Sequence, residues 1–95
     1  MIDQSSATPY SPERFRPYRG DRFEIVTEQG PVEAELTSVE DARAGQFSVI
    51  WRGPRDRVLP QQIYQVLHPQ LGALDLFLVT VGPDAEGMRY QAVFT

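Results

Sequence analysis

The chain predicts a mainly β domain: a small six-stranded antiparallel barrel or a two-layer sandwich, with one short N-terminal helix. Three observations predict it. Apolar and polar residues alternate along six separate runs, the period of side chains on an extended chain. Turns rich in Gly and Pro punctuate those runs at short, regular spacing. Helix signals are confined to one stretch near the N-terminus. Barrel and sandwich use the same alternation, so the pattern does not separate them.

Residues 1–10 are polar and hold Pro9; they are expected to form a flexible tail, with 11–95 a single domain. Pro9 and Pro12 have a P-x-x-P spacing that can dock an aromatic groove. Ser11-Pro12-Glu13 reads as a helix start, with Ser as N-cap, Pro at the first position and an acidic first turn. Pro17 limits its length by disfavouring helix at Arg16. Gly20 is placed to end it with positive φ. One short helix or helical turn should pack Phe15 onto the end of the sheet.

Arg22–Glu28 alternates, with Phe23 and Ile25 on one face. Gln29-Gly30-Pro31 reads as a turn, and Val32–Val39 returns with Val32, Ala34 and Leu36 inward, making a hairpin. Glu40–Gly45 is a polar loop. Gln46–Arg52 is a third strand with Phe47, Val49 and Trp51 on the core face. Gly53–Arg57 is a turn-rich loop. Ile63–His68 and Ala73–Val81, joined by Pro69–Gly72, form a second hairpin, taken as the centre of the fold. Tyr64 and Val66 lie opposite Ile63 and Leu67; Leu74, Leu76 and Leu78 lie opposite Phe77, Val79 and Val81. Both faces are largely apolar, which suits strands covered on both sides. Gly82–Gly87 is a loop, and Met88–Phe94 the last strand. That strand must pair with the first, be covered, or meet another subunit.

Phe47–Pro54 and Leu59–Phe94, with the entry Phe15, Gly20 and Phe23, resemble a family of small bacterial proteins catalogued as a domain of unknown function. The most specific matches are Gln61-x-Ile63-Tyr64, His68-Pro69-x-Leu71-Gly72 and Leu76-Phe77-Leu78. The resemblance covers Ser11–Phe94. It implies a compact β domain and no assigned activity. Through members encoded near phage-tail-like proteins, it implies a place in a larger, phage-tail-like assembly.

Composition excludes several classes. The chain has 95 residues and 41% apolar residues, ordinary for one globular domain and too apolar for disorder. Cysteine is absent, so disulfides, thiolate nucleophiles and zinc–cysteine sites are excluded. No apolar run approaches the ~20 residues of a membrane helix, and no signal peptide is visible. A cytoplasmic protein away from membranes is the expectation. The net charge of −4 argues against a general nucleic-acid binder.

His68 is the only histidine, so two imidazoles cannot share a metal within one chain. Its simple reading is a turn residue bonded to nearby backbone; the chemical one is a general base near Tyr64 or Asp75. Asp75 interrupts an apolar strand. It is either wet, or covered and paired with Arg52 or Arg89. Arg52, Arg55 and Arg57 flank Gly53-Pro54 and can grip a carboxylate or phosphate through forked donors, or form local ion pairs with Asp56. Arg14, Arg16, Arg19 and Arg22 sit among Phe15, Tyr18 and Phe23 as in a stacking platform for single strands, or those rings are core anchors. Glu33 and Glu35 share a strand face that reads as solvated. No Gly-rich phosphate loop, nucleophile elbow or metal motif is present, so no cofactor or metal is implied.

The expectation is a non-enzymatic domain acting by protein–protein contact, with a protein partner or as a homo-oligomer, and associating through an exposed strand edge. The alternative is a small-molecule-binding barrel, or an enzyme, with Tyr64, His68, Asp75 and the Arg52–Arg57 loop at its mouth. The barrel interior discriminates them. A polar hollow favours the second; a core filled by Phe47, Trp51, Leu76 and Phe94 favours the first.

Overall fold

In the computed structural model, which describes residues 10–41 and 46–94, six antiparallel strands close into a barrel. The tail 1–9 with its Pro9, most of the loop before the third strand (42–45) and Thr95 lie outside the described residues. The elements are α1 (Pro12–Phe15), a 3-10 turn (Arg16–Tyr18), β1 (Arg22–Thr27), β2 (Gly30–Asp41), β3 (Phe47–Gly53), β4 (Gln62–His68), β5 (Gly72–Pro83) and β6 (Met88–Phe94). The order around the wall is β1-β2-β3-β6-β5-β4. Two three-strand meanders are therefore joined at two seams. Trp51 pairs with Tyr90 where β3 meets β6. Ile25 pairs with Val66 where β1 meets β4.

This topology changes the expected role of the last strand. β6 does not pair with β1; it lies between β3 and β5. Among the described residues closure gives every strand two neighbours, although β1 and β4 meet over only three residue pairs, so little sheet edge is left to which a partner could add a strand. The helix also shortens as Pro17 requires. Only Pro12–Phe15 is α-helical, and the chain tightens into the 3-10 turn. Gly20 takes φ 90°, a conformation other residues avoid. Its N–H donates to the Leu36 carbonyl (2.8 Å), while the Leu36 N–H donates to the Asp21 carbonyl (3.0 Å). β2 and β5 run longer than the alternation suggested, each through a register shift, at Leu36/Ser38 and Thr80/Gly82.

The interior is full. Phe23, Ile25, Leu36, Phe47, Val49, Trp51, Val66, Leu78 and Tyr90 are completely buried, because alternate residues of every strand point inward. Phe15 stops the end where β3 begins and β6 ends. Its ring lies 6.1, 6.3 and 5.5 Å from Phe47, Trp51 and Phe94. Leu59 enters the core from the loop joining β3 to β4, near the other end.

The outer face of the second hairpin departs from expectation. Ile63 and Phe77, directly paired across β4 and β5, are 67% and 50% exposed, and Val93 of β6 is 57% exposed. The wall is a single layer, and nothing among the described residues covers it there. By contrast β1 and β2 present Arg22, Glu24, Glu33 and Glu35 to solvent.

Phe15→Ala should lower unfolding stability by about 3 kcal/mol, because a filled end becomes a cavity. Phe77→Ala should change it by less than ~1 kcal/mol. Urea denaturation at low protein concentration measures both.

Candidate functional site

Three regions carry the polar side chains singled out by type: the two ends of the barrel and its outer wall. The structure does not gather them into one mouth. At the Leu59 end, hydroxyls fasten the β3–β4 loop. Tyr90 accepts a hydrogen bond from the Leu59 N–H (3.0 Å) and donates to the Arg57 carbonyl (3.1 Å). Thr80 donates to the Leu59 carbonyl (2.8 Å), and Tyr64 to the Pro60 carbonyl (2.5 Å). Burial pushes the Tyr64 and Tyr90 phenols above their ordinary value. Both act as neutral groups that hold backbone.

Beside them, Arg52 is clamped by the β5–β6 loop. Its Nε and Nη2 donate to Asp84 Oδ2 at 2.9 and 2.8 Å, and Nη1 reaches Glu86 at 3.1 Å. Asp84 Oδ1 accepts the N–H groups of Glu86 and Gly87 at 2.8 and 2.9 Å. The Arg52 hydrogen bond, then those backbone bonds, bring the Asp84 carboxyl down to about 2. Asp84 in turn raises Arg52, so the pair stays ionised. Arg55 donates to the Asp84 and Ala85 carbonyls. The loop packs so closely that a Cβ on Gly87 would lie 2.3 Å from the Gly53 carbonyl oxygen.

A cavity of about 540 Å³, open to solvent, lies alongside, lined by Arg22, Glu33, Glu35, Arg52, Arg57 and Glu86 among others. Most of its charge is matched: Arg22 pairs with Glu33 at 3.2 Å, and Arg52 is held as described. Arg57 Nη2 is buried without an acceptor among the described residues.

His68 sits at the opposite end, where β4 finishes. Its Nδ1 accepts the N–H groups of Gln70 and Leu71 at 3.1 and 3.3 Å, so the proton is on Nε2, which donates to Asp21 at 3.0 Å. Its ring packs against Phe23 and Tyr18 at 4.4 and 4.6 Å. Both nitrogens are occupied, Nδ1 in shaping the β4–β5 turn and Nε2 in holding Asp21 ahead of β1. Tyr64 is four residues back along β4 and its hydroxyl is committed to Pro60, so it does not serve His68.

Asp75 is wet. It faces outward opposite Gln65, and neither Arg52 nor Arg89 reaches it. Arg89 lies at the far end of β6, between Arg52 and Gly82. Asp56 is exposed, and Glu35 faces Arg22 and Arg52 across the strands. In the N-terminal segment Phe15 and Phe23 turn inward, and Arg16 pairs with Glu13 and Asp41. Among the described residues, Phe15 and Phe23 are therefore core anchors rather than exposed stacking rings. Among the described residues no three acidic or imidazole groups converge on a metal position, and no helix is long and apolar enough to cross a membrane.

Sequence reasoning missed Leu59, Thr80, Asp84 and the exposed Ile63/Phe77 pair. A buried Leu in a Pro-flanked loop has no periodicity to reveal it. The run Asp84-Ala85-Glu86-Gly87 does signal an Asp-initiated turn, but its arginine partner is 32 positions away.

Asp84 makes stability depend on acid. Its folded value lies below the unfolded one, so its contribution is present above about pH 4 and is lost as pH falls toward 2. Asp84→Asn should flatten that part of the stability–pH curve, measured by urea midpoints from pH 2 to 6. His68→Ala should lower stability by ~1–3 kcal/mol, since it strands two backbone donors; thermal unfolding tests this.

No curated protein and no solved structure matches the chain. The model of a domain of unknown function, DUF6916, matches residues 10–94. Over that span, nearly its whole length, the chain belongs to this family.

Proposed function

We propose that this domain is a non-enzymatic interaction module, an accessory or structural component of a larger assembly, and that it docks through the outer face of β4, β5 and β6. One observation carries the reading. Apolar side chains that could have filled a core instead stand in solvent on this face, while the barrel interior is already full. Ile63, Phe77, Val81 and Val93 are all exposed there, with Val79 between them. A contiguous apolar surface of this kind marks a contact site.

The ends of the barrel support the same reading. His68, Tyr64 and Tyr90, the residue types best suited to acid–base work, spend their polar atoms on backbone and on Asp21. Among the described residues singled out by type, no pair faces a common point at which a bond could be made or broken. Closure leaves little sheet edge among the described residues, which favours contact through side chains on a face over strand addition.

A second reading rests on Arg57. Its unmatched Nη2 beside the 540 Å³ cavity suits a small carboxylate ligand. The neighbouring glutamates oppose an anion, which is why this reading ranks below the first.

The test is Phe77→Glu combined with Ile63→Glu. Both positions are exposed, so the fold should persist by circular dichroism. A protein that co-purifies with the wild-type chain and binds it when reconstituted should bind the double variant at least ~100-fold more weakly. Binding unchanged in the variant overturns the reading.

A further inference from the structure

The outer face of β4–β6 has a pattern of charge that suggests its partner. Only two charged side chains stand on it among the described residues, and they are at opposite ends. Asp75 lies toward the start of β5, opposite Gln65. Arg89 lies toward the start of β6, opposite Gly82. Since β5 and β6 are antiparallel, about six strand steps separate them, ~20 Å. Between them lie Phe77, Val79, Val81, Gln91 and Val93, with Ile63 alongside Phe77.

Both charges are unsatisfied. Asp75 is exposed and has no ion-pair or hydrogen-bond partner among the described residues. Arg89 has its Nε buried with no acceptor. Its cross-strand neighbour is Arg52, a like charge whose donors are already taken by Asp84 and Glu86. A negative end, an apolar middle and a positive end make a surface complementary to itself.

We infer that this face binds a second copy of the chain in an isologous dimer, with Asp75 of each copy paired to Arg89 of the other. The inference rests on the face being a docking surface and names its occupant. The two-fold axis lies in the plane of contact and crosses the strands near the Val79–Gln91 pair. It sets the strands of the two copies antiparallel across the contact. Reciprocal pairing follows from the symmetry, since a contact between two sites occurs twice about a two-fold. The rest of the surface favours this choice. Each chain carries a net charge of −4, so two copies repel unless they meet where carboxylates are sparse. β1 and β2 expose Glu24, Glu33, Glu35, Glu40 and Asp41; the β4–β6 face offers Asp75 alone, and supplies its counter-charge. Three strands across ~20 Å of a curved wall make a small contact, which fits a reversible dimer with a micromolar dissociation constant.

The experiment is sedimentation of the full chain from about 10 μM to 1 mM. The wild type should show a monomer–dimer equilibrium. Asp75→Arg and Arg89→Asp should each weaken it by about tenfold or more, because each sets like charges together. Mixing the two variants should produce a 1:1 heterodimer, since every pair is then opposite in sign. The doubly exchanged chain, Asp75→Arg with Arg89→Asp, should recover the homodimer. Arg89→Ser gives a gentler test of the same contact, should the reversal beside Arg52 disturb the wall.

A wild type that stays monomeric to 1 mM overturns the dimer. So does a dimer that neither single reversal weakens. The docking reading fails separately: it falls if Phe77→Glu leaves both self-association and every reconstituted partner untouched. A monomeric chain that loses a foreign partner on Phe77→Glu overturns the dimer and keeps the docking face.

Discussion

Everything in this molecule follows from how much side-chain volume six short strands can enclose. A six-stranded wall leaves a narrow interior, and Trp51, Tyr90, Phe23 and Phe47 are its largest completely buried side chains together with Phe15. Phe15 and Leu59 complete the core at its ends. A core so filled is stable because each ring gains both transfer energy and close contact. Of the large apolar residues that face water, Ile63, Phe77, Val81 and Val93 gather on the side of the barrel built from β4, β5 and β6, while Val26 and Val58 lie on β1 and the β3–β4 loop.

Polar groups are used mainly to hold the ends. Three hydroxyls, those of Tyr64, Thr80 and Tyr90, secure the loop that delivers Leu59. His68 ties two turn amides to Asp21 on the neighbouring segment. Arg52 and Asp84 join β3 to the β5–β6 loop across 32 positions of sequence. Residues with the chemistry of catalysts are thus engaged as fasteners. Their occupancy, rather than their type, decides what they do. The same logic isolates Asp75 and Arg89, which are charged, on the apolar side, and bonded to nothing described in their own chain.

The alternation of Phe23/Ile25, Phe47/Val49/Trp51, Leu74/Leu76/Leu78 and Tyr90/Ala92 determined the strands and which of their faces point inward. That information is local, because a side chain two residues along an extended chain returns to the same side. Pro17 and Gly20 likewise determined where the helical turn stops. The choice of barrel over sandwich was not local. It depends on β6 lying between β3 and β5 and on β1 meeting β4, pairings between segments some 40 residues apart. The apolar outer residues Ile63 and Phe77 read as buried because alternation alone does not say whether a second layer exists. Only the closed single-layer wall exposes them. In the same way His68, Asp75 and the arginines could be named from sequence as candidates, yet only the packed chain assigns each its partner, since hydrogen bonds form between atoms brought together in space.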